Sequence, residues 1–324
     1  MAETAIDVAG LWFWYHEQTP VLRGVSLQVP RGQSLALVGA NGSGKTTLVK
    51  HLNGLLRPRR GKVRLGGLRN GSGALQDIAG FSIGELAQQV GYLFQHPEQQ
   101  IFSATVRQEL AFGPRNLGLS EAEVESRVMR ALARFDLAAV ADQPPAILGY
   151  GLRRRVTLAS LATMDSPILV LDEPSVGLDL PGLRETVGWL KECQALGRTI
   201  LLVSHDMALV AEVADRVVVL HEGEILGDGL PTDLFEQSHL LARASLAPPP
   251  VVALAQALRP SGLQGDGLTV EAFCAEYIAR VRQSKAEAGG RAAFPTFVVG
   301  QTVGGEPPLP RGKMEGEGSR EPTL

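Results

Sequence analysis

The chain has 324 residues, enough for one large or two ordinary domains, and 44% apolar with 20% charged residues is the composition of a folded protein. A net charge of −3 gives no signature of nucleic-acid or acidic-membrane binding, so neither partner is expected. Cys193 and Cys274 match no metal spacing and read as free thiols, no stretch approaches about 18 uninterrupted apolar residues, and the N-terminus carries no basic-then-apolar secretion signal.

Residues 5–38 read as β, with Pro20, Gly24, Pro30 and Gly32 marking turns between short apolar runs. In the aromatic run Leu11-Trp12-Phe13-Trp14-Tyr15, one ring near the end is placed to stack on a base. Tyr15 is the first choice and Trp14 the second; the other reading is that all these aromatics pack a β-subdomain. Leu35 to Val38 is a short buried strand that ends at Gly39. Gly39, Gly44, Lys45 and Thr46 then have the spacing G-x-x-x-x-G-K-T of a phosphate-binding loop. Glycines permit backbone angles that a side chain forbids, so N–H groups can turn toward a polyphosphate at a helix start. Lys45 brings a full charge and Thr46 a hydroxyl for Mg²⁺, while Asn41, Gly42, Ser43 and Thr47 complete the binding loop. The following helix spans roughly 45–55 and closes at Gly54 and Pro58.

Residues 60–80 are glycine-rich, with the loop Asn70-Gly71-Ser72-Gly73, and show little helical period. Val90 to Phe94 is a strand with Gln95 directly after it, and 96–103 is a polar loop ending in exposed apolar residues. Residues 104–140 are helical, with a capping box over Ser120–Glu123. Another helix covers about 152–163, and its triple arginine, Arg153 to Arg155, reads as a solvated face. In 167–174 a second buried strand runs straight into Asp172 and Glu173. A helix follows at 181–196, then a strand from Thr199 to Ser204 that delivers His205, with Asp206 as the next helix cap. A strand at 216–220 and a turn at 222–224 finish this domain near 238.

Pro248-Pro249-Pro250 breaks the chain before two short amphipathic stretches within 246–283. The second carries Val270, Phe273, Cys274, Tyr277, Ile278 and Val281 on one stripe, suited to packing on the parent domain or to a subunit contact. Residues 284–324, rich in glycine, proline and charge, are expected to be disordered apart from an apolar island at Phe294–Val299 with no assigned role.

Apolar strands alternating with helices predict an α/β fold with a mainly parallel sheet, plus an antiparallel β-subdomain at the N-terminus. Ligands of such sheets sit beyond the carboxyl ends of the strands, which would gather the glycine loop, Gln95, Asp172, Glu173 and His205. Asp172 suits Mg²⁺ held through water, because a hard cation takes oxygen ligands. Glu173 can orient and deprotonate an attacking water, His205 can hold the γ-phosphate and that water, and Gln95 can touch Mg²⁺ or the water.

With these motifs in place, residues 1–238 resemble the nucleotide-binding subunit of an ATP-binding cassette (ABC) transporter. Gly39 to Thr47 resembles its P-loop, Gln95 its Q-loop, and Ile168 to Asp172 with Glu173 its second nucleotide motif. Ser175-Val176-Gly177-Leu178-Asp179 is similar to its D-loop, Ser204-His205-Asp206 to its switch histidine, and Tyr15 falls at the adenine-stacking position. Gln95-His96-Pro97-Glu98-Gln99-Gln100-Ile101-Phe102, Thr105-Val106, Ala111-Phe112-Gly113-Pro114 and the tail with Leu268-Thr269-Val270-Glu271 look like the energy-coupling-factor ATPases. The resemblance implies a P-loop NTPase domain of the ABC type, with a RecA-like parallel core, an antiparallel β-subdomain, a helical subdomain and a small C-terminal helical extension at 239–283 that helps pairing. It also implies ATP and Mg²⁺ as cofactors and a second ATPase subunit. The remaining implied partners are a membrane coupling subunit and a substrate-capturing membrane subunit, which would put the chain on the cytoplasmic side of the cell membrane. The imported substrate of that family is a vitamin or a transition-metal ion such as cobalt or nickel. The competing expectations are a catalytically weak regulatory subunit and a soluble, non-transport ABC ATPase.

One motif departs from the family. Where it has L-S-G-G-Q, this chain has Leu148-Gly149-Tyr150-Gly151-Leu152. In the family this segment completes the ATP site of the partner subunit, so Gly149 lacks a hydroxyl and Tyr150 places a ring where backbone should approach a phosphate. The expected consequence is an asymmetric pair, in which the site completed by this chain is impaired.

Overall fold

The computed structural model describes residues 3–17, 19–67, 74–96, 100–263 and 268–287. The Asn70–Gly73 loop, residues 97–99 and the Phe294–Val299 island lie outside the described residues, as does the tail from 288 onward for which disorder is expected. In chain order the strands are β1 (Thr4–Phe13), β2 (Leu22–Pro30), β3 (Ser34–Val38), β4 (Arg60–Gly66), β5 (Leu75–Asp77), β6 (Val90–Leu93), β7 (Ile168–Asp172), β8 (Thr199–Val203), β9 (Arg216–His221) and β10 (Glu224–Gly229). The helices are α1 (Lys45–Leu52), α2 (Ile83–Ala87), α3 (Val106–Asn116), α4 (Glu121–Arg134), α5 (Tyr150–Met164), α6 (Leu180–Ala195), α7 (Met207–Val213), α8 (Pro231–Glu236), α9 (Ser238–Arg243), α10 (Pro250–Leu258) and α11 (Val270–Glu287).

β3, β7 and β8 are buried at every position, as strands covered on both faces must be. They sit inside a six-stranded sheet of order β10-β9-β3-β8-β7-β6, parallel except for the β10–β9 edge pair. Side chains two apart share a face. Leu35, Leu37, Val170 and Leu201 therefore pack with α1 and the second sheet, while Ala36, Val38, Leu171 and Leu202 pack with α3 to α7. The second sheet, order β2-β1-β4-β5, is antiparallel. The parallel core and antiparallel β-subdomain thus have the predicted architecture.

Several local expectations are corrected. α1 ends at Leu52, because Gly54 turns the chain in a left-handed conformation (φ +76°). β1 ends at Phe13, so Trp14 and Tyr15 lie beyond the strand rather than in it. The 60–80 stretch is partly β, since β4 and β5 pair there. The expected capping box at Ser120 is half made: its Oγ accepts from Glu123 N, but the Glu123 carboxylate turns to Arg127 Nε at 2.8 Å. A complete box instead caps α2, where Ser82 and Glu85 exchange bonds. α5 starts at Tyr150, two residues earlier than expected.

The described residues through Ala279 form one compact unit. Val252 of α10 joins the main core and Gln256 Nε2 donates to Phe235 O at 3.1 Å, so the first amphipathic stretch packs on the parent domain. In α11 no described residue is buried; Val270, Cys274 and Ile278 are exposed, and Phe273 stacks on Tyr277. α11 continues to Glu287, past the expected boundary at 284.

Candidate active site

Four parallel strands end on one edge and each hands over a functional residue. β3 leads into the glycine loop, β8 into Ser204 and His205, β7 into Glu173 after Asp172, and β6 into Phe94 and Gln95. A polar cleft of about 530 Å³ opens there. Asn41, Gly42, Gly44, Lys45, Thr46 and Thr47 line one side, and Gln95, Asp172 and Glu173 the other.

The loop needs glycine at its two ends. A Cβ on Gly39 would lie 2.1 Å from the Leu220 carbonyl, and Gly44 (φ +106°) would drive one to 2.9 Å from Leu22 Cδ2. Lys45 Nζ donates to Gly39 O (2.8 Å) and Ala40 O (2.9 Å), which folds the ammonium over the loop. Burial lowers its pKa, opposed by the charges of Glu173 and Asp172. Ser43 Oγ is buried without a hydrogen-bond partner, and no side chain caps the α1 N-terminus at Gly44. The loop therefore places an ammonium and uncapped helix N–H groups at the cleft, an arrangement suited to an anion.

Asp172 is buried, and its Oδ1 has no hydrogen-bond partner while Oδ2 accepts from Tyr92 Oη at 3.4 Å. Burial pushes its carboxyl pKa up, helped by the Glu173 charge and opposed by the hydroxyls of Thr46 and Tyr92. An unpartnered buried carboxylate oxygen beside a threonine hydroxyl fits a hard cation that keeps several waters. Asp172 and Thr46, with Gln95 in the same cleft lining, would hold Mg²⁺, which would supply charge neutralisation on phosphate oxygens.

Glu173 has φ +54°, a left-handed conformation that costs a non-glycine residue about 1–3 kcal/mol and persists where surroundings over-determine it. Its N–H donates to Val203 O at 2.8 Å, and its Oε2 lies 2.8 Å from His205 Nδ1. The His205 side chain is 63% exposed against 8% for Glu173, so an imidazole reachable from solvent orients a nearly buried carboxylate. This pair can take a proton from water and steady the resulting charge. Tyr15 lies outside the cleft lining, half exposed, with Oη 3.2 Å from Thr47 Oγ1 and its ring edge-on to Phe13, which in turn meets His51. Trp14 is half-buried.

The triple arginine is not a solvated face. Arg154 is fully buried, and its guanidinium donates to the carbonyls of Phe94 (2.6 Å), Gln95 (3.3 Å), Asp172 (3.1 Å) and Glu173 (2.5 Å). Arg155 is mostly covered and pairs with Asp179 (3.2 Å) and Glu185 (3.4 Å). Helical spacing held the missed signal: Arg154 shares a stripe with Thr157, Leu158 and Leu161 at i+3, i+4 and i+7, all buried.

The divergent motif stands at the start of α5. Gly149 is its N-cap and gives no side-chain bond. The Tyr150 ring lies over Gly177, where a Cβ would come within 2.0 Å of Tyr150 Cε1, and Gly177 has φ +77°. A ring thus covers the glycine turn that precedes Asp179, the cap of α6.

The sequence profile of the ABC transporter family matches residues 22–176. The chain is 39% identical over 267 residues to "Energy-coupling factor transporter ATP-binding protein EcfA" of Methanothermobacter thermautotrophicus, covering 82% of this chain and 84% of that protein. It is 44% identical over 253 residues to "Energy-coupling factor transporter ATP-binding protein EcfA2" of Symbiobacterium thermophilum, covering 76% of this chain and 86% of the relative. Among solved structures, cbiO1 of Clostridium perfringens, described as part of the ABC transporter complex cbiONQ, superposes with a TM-score of 0.63 at 33% identity, over 74% of this chain and 94% of that one. The family match spans the glycine loop, Asp172 and Glu173, and the relatives extend the likeness over most of the chain. The chain belongs to the ABC transporter family as an ATP-binding ATPase of the energy-coupling factor type.

Proposed function

We propose that this chain is the motor of an importer for a vitamin or a transition-metal ion such as cobalt or nickel, working as one half of an asymmetric ATPase pair on the cytoplasmic face of a membrane. The observation that carries the pairing is the contrast between its two faces. Its own half-site keeps Lys45, Thr46, Asp172, Glu173 and His205 around one cleft edge, whereas the start of α5 offers Gly149 without a hydroxyl and Tyr150 with a ring. In this reading Gly39 and Asn41 to Thr47 bind the phosphates, Tyr15 stacks on adenine, Mg²⁺ sits on Thr46, Gln95 and Asp172, and Glu173, His205 and Gln95 serve hydrolysis.

A membrane partner is supported by an apolar groove of about 540 Å³ beside the Q-loop. Leu55, Ile83, Phe102 and Phe112 are exposed around it, and Glu109 holds its rim by accepting from Phe102 N and Ser103 N. The groove suits a short helix of the coupling subunit, and no helix among the described residues is long and apolar enough to cross a membrane itself. The bare apolar stripe of α11 suits contact with the second ATPase, which keeps 239–283 as a pairing extension beside a nucleotide-binding domain at 1–238.

The test compares ATP turnover of the purified chain alone with that of the chain and its co-purifying subunits. Turnover should require a second, non-identical ATPase, and Glu173→Gln should abolish it while ATP holds the pair together. Brisk turnover by ATP-dependent dimers of the chain alone would sink the asymmetric pairing. A second reading, a regulatory subunit with weak catalysis, is motivated by the same Tyr150 and predicts that Glu173→Gln changes little.

A further inference from the structure

We propose that Arg154 is a positioning residue for hydrolysis: one buried guanidinium fixes the catalytic Glu173 and the start of the Q-loop as a single rigid unit. Its Nη2 donates to the carbonyls of Asp172 and Glu173, and its Nη1 to those of Phe94 and Gln95. The carboxyl ends of β6 and β7, neighbours in the sheet, are thereby tied through a residue of α5, the helix whose first turn carries Tyr150. Arginine suits this because its planar fork presents donors in fixed directions, and charge-assisted bonds to carbonyls exceed neutral ones in strength.

The consequence for Glu173 follows from its backbone. At φ +54° this residue does not rest in its own preferred conformation and must be held from outside. On one side its N–H is bonded to Val203 O, and on the other its carbonyl is bonded to Arg154. Without the guanidinium the Glu173 carbonyl keeps only the longer bond from Val176 N (3.4 Å), so residue 173 is held less firmly, can relax toward right-handed angles, and moves its carboxylate from beside His205 Nδ1. The proposed phosphate-binding residues on Gly39–Thr47 make none of these bonds, so ATP affinity measured without Mg²⁺ should be preserved. Arg154 is fully buried and outside the cleft lining, so it acts through the residues it holds. The same bonds make any displacement of Gln95 felt at Glu173.

Arg154→Met and Arg154→Lys test this in the full chain together with its co-purifying subunits, by ATP binding and by turnover. Arg154→Met should lower kcat at least tenfold with ATP Kd, measured without Mg²⁺, within about twofold. Arg154→Lys, which keeps charge and donors without the fork, should recover part of the loss. Arg154→Met added to Glu173→Gln should bring no further large loss, since both act on one group. Unchanged kcat in Arg154→Met overturns the proposal. So does a parallel loss of ATP binding, turnover and thermal stability in both variants, which would make Arg154 a strut of the fold. Neither result bears on whether the pair is asymmetric, because the comparison is made within one assembled complex.

Discussion

Residues with the same chemistry have different roles here because their surroundings differ. Asp172 and Glu173 are adjacent carboxylates, yet Asp172 keeps a buried, unpartnered oxygen while Glu173 is engaged by His205. Arg153, Arg154 and Arg155 are consecutive cations, but only Arg154 is fully enclosed. Tyr15 is the residue whose role is most easily isolated. If its exposed ring stacks on adenine, Tyr15→Ala should weaken ATP binding by about 1–3 kcal/mol, roughly 5- to 150-fold, the usual worth of a base on an aromatic ring. Tyr15→Phe, which loses only the bond to Thr47 Oγ1, should stay within a few-fold of the wild type. Equilibrium binding of a fluorescent ATP analogue measures both, and equal affinities for Ala and wild type would move the platform to Trp14.

At the scale of elements, α1 links the phosphate loop to the hydrophobic interior through a buried histidine. His51 Nδ1 bonds to Thr47 O at 2.7 Å, so that nitrogen carries the proton, and Nε2 is buried without a partner. Burial lowers the His51 pKa, opposed by backbone carbonyls of Thr47 and Arg57. The unfolded chain then takes up this proton first, near pH 6.5, and stability falls as pH drops from there toward the folded-state value. Asp172, with its raised pKa, contributes the opposite slope and is common to wild type and variant. The difference in denaturant midpoints between wild type and His51→Phe should therefore shift in favour of the variant from pH 7.5 to pH 5.5. A pH-independent difference would mean that His51 is accommodated protonated. Much at this scale was legible from sequence: the buried strands, the cap at Asp206, and the order of elements. The half-made box at Ser120 was misread because Glu123 had a second suitor, Arg127, one turn on, and sequence spacing alone does not rank the two.

For the whole molecule, the face that binds ATP and the face bearing Gly149 and Tyr150 belong to different composite sites in the proposed pair. Restoring a serine hydroxyl and a small residue with the double substitution Gly149→Ser/Tyr150→Gly should act on the partner's ATP. A recovered hydrogen bond to a charged phosphate is worth about 1.5–3 kcal/mol, roughly a 10- to 150-fold gain in turnover at that site. Steady-state hydrolysis in a complex whose partner carries the substitution equivalent to Glu173→Gln, and in one where this chain carries Glu173→Gln, separates the two sites. Only turnover at the partner's ATP should rise. Removing the ring also uncovers Gly177, so the variant's stability should be measured beside its activity.

Sequence by itself determined the parts that depend on neighbours along the chain. The glycine spacing, the all-apolar strands, the carboxylates at the end of β7 and the histidine after β8 are local patterns, because strand and loop conformations follow from a few consecutive residues. Tertiary structure decided which of those parts meet and what holds them. That β6, β7, β8 and β3 end side by side depends on strand order, which no local pattern encodes. That Arg154 rather than Arg153 or Arg155 turns inward depends on where α5 lies against four carbonyls from two other strand ends. That Tyr150 covers Gly177 depends on the start of α5 meeting the turn before α6. The reason is common to all three: burial and hydrogen bonding are properties of the space a side chain enters, and that space is enclosed only when separate elements pack.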